Sequence, residues 1–161
     1  PAEGDRSGKI AAMNRRCLLA SLSVLACASR PAQAHDTTVG DLHIEHAYAL
    51  PSEAGSATAA AYLRRIRHRG TLPDRLVGAS TPLATSVELQ RAGQRVEAIE
   101  LPAGGELLLR HDSEWRLALK GLQSTLVNGQ RFPLRLRFQH AGECELTVWV
   151  QQPRAALQPY R

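Results

Sequence analysis

The chain is 161 residues long, with 43% hydrophobic, 22% charged and only 4% aromatic residues and a formal net charge of +5. Five cations (Arg6, Lys9, Arg15, Arg16 and Arg30) and two anions (Glu3 and Asp5) precede His35, so the rest of the chain carries only +2 and makes no nucleic-acid-binding footprint. No apolar run approaches the roughly 20 residues of a membrane-spanning helix, so no stable span is expected.

In chain order, Met13 is the expected start, followed by Arg15 and Arg16 and an apolar stretch over 17–28. Pro31-Ala32-Gln33-Ala34 then places small residues at the −3 and −1 positions of a signal-peptidase site. Residues 1–34 therefore read as upstream residues plus a cleaved export signal, and the mature protein is expected to begin at His35 in the periplasm or outside the cell. Asn14-Arg15-Arg16-Cys17 also fits a loose twin-arginine pattern, and Val24-Leu25-Ala26-Cys27 is a poor lipobox that offers lipidation at Cys27 as the alternative. Cys17 and Cys27 leave with the leader, so Cys144 is the sole mature cysteine and no internal disulfide can form.

From 35 to 150 the pattern is strand after strand, punctuated by glycine and proline, and it predicts one all-β domain of about seven or eight strands. An extended segment over 42–49 is broken by Pro51 to Gly55. A strand follows around Ala61-Tyr62-Leu63, and Arg67-His68-Arg69-Gly70 reads as a basic turn. Further strands are expected over 74–80, 87–90, 95–101 and 106–110, the last two split by Pro102-Ala103-Gly104-Gly105. Over 115–119 the alternation puts Trp115, Leu117 and Leu119 on the buried face and Arg116 and Ala118 on the other. Asn128-Gly129 is a tight-turn signal before a strand over 132–138. The strand over 144–150 turns Cys144, Leu146, Val148 and Val150 the same way, and residues 151–161 lose the alternation and read as a tail.

The segments DRLVGASTP, VELQ, VEAIELPAGGELLL, WRLALKGL, NGQRFPLRLRF and HAGECELTVWV follow one another between Asp74 and Val150. Their order resembles the periplasmic copper chaperones of the PCu(A)C family. The resemblance implies a cupredoxin-like Greek-key β-sandwich and a role in delivering copper to a periplasmic cuproprotein or assembly factor, such as the CuA centre of cytochrome oxidase. It also implies a Cu(I) site of histidine and methionine: a His ending the VEL strand, a Met after it, and a His-x-Met pair before a Gly-Leu. Here those positions hold Gln90, Arg116 and Ala118, the hairpin after Gln90 is short, and Met13 is the only methionine. Soft thioethers select Cu(I), whereas a protonated guanidinium offers only donors, so the family Cu(I) site is read as lost.

A nitrogen-based copper site could replace it. His35 at the mature terminus would offer its α-amino group and imidazole, a chelate suited to Cu(II), with His43, His46 and His111 as candidates for further nitrogens. His43 and His46 lie three apart on an expected strand, so period-2 alternation sends them to opposite faces. His68 is set among arginines and His140 in a turn, and neither is expected to bind metal. Cys144 is expected to be a buried, inert thiol. No HExxH, GxSxG, CxxC or glycine-rich phosphate loop occurs, so the chain reads as a non-enzyme. Two functions compete: copper handling through a relocated site, and a ligand-free protein-interaction or assembly module on the same fold.

Overall fold

The protein is described here from a computed structural model, covering residues 36–152. These residues form eleven strands and, among themselves, no helix. The strands are β1 (Asp36–Val39), β2 (Leu42–Ala49), β3 (Thr58–His68), β4 (Asp74–Ser80), β5 (Ala84–Arg91), β6 (Gln94–Arg95), β7 (Ile99–Leu101), β8 (Glu106–Leu109), β9 (Trp115–Leu122), β10 (Arg131–Phe138) and β11 (Glu143–Val150). Hydrogen bonds join them in the order β6-β5-β9-β3-β2-β11-β10-β4-β7, with β1 added to β2 and β8 to β3. Every pairing is antiparallel except that of β11 with β2, where Trp149 faces Tyr48 and Val150 faces Ala49. The sheet curls on itself as a cupredoxin-like sandwich.

Binary patterning explains most of this. Along β10, Phe132, Leu134, Leu136 and Phe138 are buried while Arg131, Pro133, Arg135 and Arg137 are exposed, which is the period of a strand with one dry face. Leu63, Leu76, Leu117, Leu119, Leu134 and Val148 have no solvent-accessible surface and belong to one core. Each such side chain contributes about 1.5–3 kcal/mol by leaving water, which matters in a domain with no disulfide.

The core face changes side partway along two neighbouring strands. In β2 it is Leu42 and Ile44, then Ala47 and Ala49; in β3 it is Ala61 and Leu63, then Ile66 and His68. The change falls at His46, whose φ of 41° is left-handed, and at the Arg64-Arg65 pair opposite. The β2–β3 ladder skips the His46–Arg64 pair, and the β3–β8 register shifts between Leu63 and Ile66. A kink of this kind bends both strands together and lets each serve the core on both sides of the bend.

The structure corrects several details. Eleven strands form where about seven or eight were expected: the nine segments read from the sequence all contain strand, β1 is added before β2, and the segment over 95–101 divides into β6 and β7. The expected turn at 67–70 begins late, since β3 continues through His68. Leu117, Leu119, Leu146 and Val148 are buried and Arg116 is exposed, as the alternation requires, but Trp115 is only half-buried, with the Arg91 guanidinium 5.1 Å from its ring centre. Ala118 is buried as well, although it shares a face with Arg116. Its cross-strand neighbours are Ala60 and Glu88, and a single methyl lies below the level of the longer side chains around it.

Candidate functional site

The positions that the resemblance assigns to copper ligands come together in space. Gln90 on β5 and Arg116 on β9 are direct cross-strand partners, and Glu88 faces Ala118 two pairs further along. Arg116 Nε donates to Gln90 Oε1 at 2.9 Å, and Gln90 Nε2 donates to Glu88 Oε2 at 3.0 Å. Gln90 is thereby 6% exposed rather than a surface residue, held down by the guanidinium across it. The arrangement is a satisfied donor–acceptor chain of Arg, Gln and Glu, with no thioether and no imidazole in it.

Beside it lies a cluster of rings. Tyr48 and Tyr62 face each other across the β2–β3 ladder with ring centres 5.4 Å apart, His46 stacks on Tyr48 at 5.8 Å, and His111 meets both tyrosines edge-on. The Tyr48 hydroxyl accepts the His111 backbone N–H at 3.0 Å, which leaves its own proton for His111 Nδ1, also at 3.0 Å. That assignment puts the neutral imidazole's proton on Nε2. Burial raises the Tyr48 hydroxyl above its ordinary pKa, outweighing the lowering effect of the His111 backbone N–H. Burial raises Tyr62 too, opposed by the positive charge of Arg116.

His46 and His111 line one open groove of about 1050 Å³ together with Asp36, Tyr48, Arg64 and Trp149. Asp36 is the residue after His35, which itself lies outside the described residues. His46 Nε2 accepts from the Gln151 side-chain amide at 3.1 Å. His43 does not join the groove: its ring turns to β1, with Nε2 3.5 Å from Asp36 Oδ2 and Nδ1 3.3 Å from the Thr38 hydroxyl. The period-2 argument for His43 and His46 fails here, because the core face changes at His46 and both rings end up on the outward side. Among the described residues no three His, Cys, Asp or Glu side chains already surround one point.

Cys144 is half-buried against the core, and burial pushes its thiol up to about 11, so little thiolate exists at neutral pH. His68 is placed quite differently from a basic turn. It is 6% exposed at the end of β3, and its Nδ1 donates to the carbonyls of Leu101 and Pro102. The sequence signal for this was the spacing Ile66-x-His68, which continues the buried face after the Arg64-Arg65 break.

A family model described as "Putative lipoprotein LpqE-like" matches residues 42–150. Among solved structures, the copper-bound PCuAC domain from PmoF2 is 26% identical and superposes with a TM-score of 0.68, covering 74% of this chain and 99% of that domain. The apo PCuAC domain from PmoF1 has the same TM-score at 24% identity, and covers 74% of this chain and 100% of that one. The Cu(I) form of DR1885 from Deinococcus radiodurans is 25% identical with a TM-score of 0.59, over 75% of this chain and 83% of that one. No curated protein matches the chain.

Proposed function

The chain belongs to the LpqE-like family and is of the PCu(A)C copper-chaperone type, and from that premise we propose an exported protein that acts on copper assembly without a thioether Cu(I) centre of its own. It works by contact with a periplasmic cuproprotein or assembly factor, as an interaction module on the chaperone fold. One observation carries this reading: the Arg116–Gln90 hydrogen bond at 2.9 Å, which ties together two positions that would otherwise hold copper ligands. A guanidinium cannot ligate, and the glutamine oxygen that could is already engaged. Competition with a Cu(I) chelator such as bathocuproine tests it. The native chain should release Cu(I) to the chelator completely, whereas Gln90→His combined with Arg116→His and Ala118→Met should retain it at least about tenfold better. Stoichiometric retention by the native chain would overturn the reading.

A second reading is favoured by the groove. Asp36, His46 and His111 line the same space, so a mature terminus at His35 would start beside two imidazoles. Its amine and ring would supply a Cu(II) chelate completed by His46 or His111, with His43 engaged elsewhere. Cu(II) binding should then weaken in acid, because protons compete with the metal for its nitrogen ligands. One extra residue ahead of His35 should abolish it; equal binding by native and extended chains ends this reading.

A further inference from the structure

Asn128 is the only asparagine after His35, and a glycine follows it in the connection between β9 and β10. We propose that Asn128-Gly129 is a self-modification site: the turn can lose the Asn128 side-chain amide to its own backbone, and the seated end of β11 holds that reaction shut. The site is independent of both readings given above.

The sequence places an amide electrophile beside an unhindered nucleophile. The Gly129 backbone nitrogen, once a base has taken its proton, can form a bond to Asn128 Cγ. The side-chain nitrogen then takes up a proton and leaves as ammonia, and a succinimide ring remains. Water adds at one of the two ring carbonyls, and the ring C–N bond breaks there. Opening at the former side-chain carbonyl gives aspartate. Opening at the main-chain carbonyl gives isoaspartate, whose backbone runs through the former side chain. The net change is amide plus water to carboxylic acid plus ammonia, with no redox partner or cofactor. Glycine suits the step because no Cβ crowds its nitrogen, and it takes its left-handed φ of 87° without strain. Both residues are exposed, so water and base reach them.

In the closed sheet both reacting groups are engaged by the end of the last strand. The Gly129 N–H donates to the Val150 carbonyl at 2.8 Å, so the proton that must leave is held in a hydrogen bond. Asn128 Oδ1 accepts from the Gln152 N–H at 3.2 Å, which pins the carboxamide. The Val150 N–H donates to the Gln130 carbonyl at 2.8 Å, completing a pair of bonds around the turn. Val150 has no solvent-accessible surface and belongs to the core, so this clamp is as firm as the seating of β11. The Gly129 nitrogen is freed only by an opening that unseats the end of that strand.

Because β11 is the last strand in the chain, any chain that has not finished its sheet leaves the turn unguarded. The product is a lasting record of that time. Isoaspartate adds a carbon to the main chain ahead of Gly129 and shifts its N–H away from the Val150 carbonyl. Either product sets a carboxylate in the groove that Asn128 lines with His46 and His111.

Peptide mapping of the whole mature chain by mass spectrometry, with isoaspartate separated from aspartate by chromatography, tests the site. In urea the chain should deamidate at Asn128, and Gly129→Ala should slow this about tenfold or more where no native φ is at stake. The native chain should react at least about tenfold more slowly than the chain in urea. Gln152→Pro removes the N–H that pins Asn128 and should speed the native reaction. Val150→Ala loosens the end of β11 and should speed it about tenfold, in step with hydrogen exchange at the Gly129 amide. If that buried change unfolds the domain, the exposed Gln152→Pro change carries the comparison. The proposal is overturned if the chain in urea keeps Asn128 intact, or if the native chain reacts as fast as the unfolded one. A native rate unmoved by both variants overturns it too, as does faster exchange at Gly129 without faster deamidation.

Discussion

Tyr62 and His68 stand six residues apart on β3, roughly 20 Å along an extended strand, and the surroundings of the two differ in how their polar groups are finished. Around Tyr62 the side chains satisfy one another: Tyr48 and His111 exchange two hydrogen bonds, Arg116 caps Gln90, and Gln151 donates to His46. Around His68 the backbone does the pairing instead: the carbonyls of Leu101 and Pro102 accept from its Nδ1, and three backbone N–H groups finish the carboxylate of Asp74. A region whose polar atoms are already paired resists a new ligand, because binding would have to break existing bonds. A side chain finished by main-chain groups is held by the fold itself, so its removal strands backbone partners that no neighbouring side chain replaces.

The comparison is most exposed to failure at Asp74. Replacing it with alanine strands three backbone N–H groups, two of them from the turn before β11, and should lower stability by about 2–4 kcal/mol in urea unfolding. The carboxyl also shapes the acid limb. Burial pushes its pKa up, but the N–H groups of His140, Arg75 and Ala141 and the positive charge available to His140 outweigh this and hold it below the ordinary carboxylate value. A depressed folded pKa means stability that is complete above the unfolded value and lost as pH falls toward the folded one. Asp74→Asn should therefore flatten the loss of stability below about pH 4. An unchanged acid limb would remove Asp74 from the account.

A smaller effect is expected in the ring cluster. Tyr48→Phe removes the acceptor for the His111 N–H and the donor to its ring, and should cost about 1 kcal/mol. The His111 imidazole resonances should shift at the same time, as Nδ1 loses its partner, while those of His68 stay in place. Parallel shifts in both histidines would mean that the two regions are coupled.

The smallest consequence concerns Cys144, which belongs to neither region. Burial pushes the thiol up to about 11, so its alkylation at pH 8 should be slow in the native protein and become rapid only in denaturant. Rapid native labelling would place the sulfur in solvent.

Much of the sheet was legible in the residues. The strict alternation of β10 and the apolar positions of β9 and β11 follow from period-2 patterning, and the Asn128-Gly129 and Pro102 to Gly105 turns fall where their backbone chemistry demands. The kink was not legible, because two adjacent arginines in β3 look like ordinary surface charge. Only the core shows that Arg64-Arg65 marks the place where the inward face changes. The same blind spot hid His68: a histidine flanked by arginines reads as solvated until the carbonyls of Leu101 and Pro102, more than thirty residues away, are seen to receive its proton. The burial of Gln90 was hidden for a related reason. A polar residue at a strand end is exposed by default, and its burial depends on one long side chain folding over it from the neighbouring strand.

The parallel seam between β11 and β2 has a consequence in time. Tyr48 and Ala49 are among the earliest sheet residues to leave a ribosome or a channel, and their hydrogen-bonding neighbours Trp149 and Val150 are among the last. Every other pairing of β2 can form while the chain is still emerging, but this edge stays open until a hundred further residues have passed. Such a long-range closure is slow relative to hairpin formation. The sheet is therefore complete only once the final strand has taken its place beside the second.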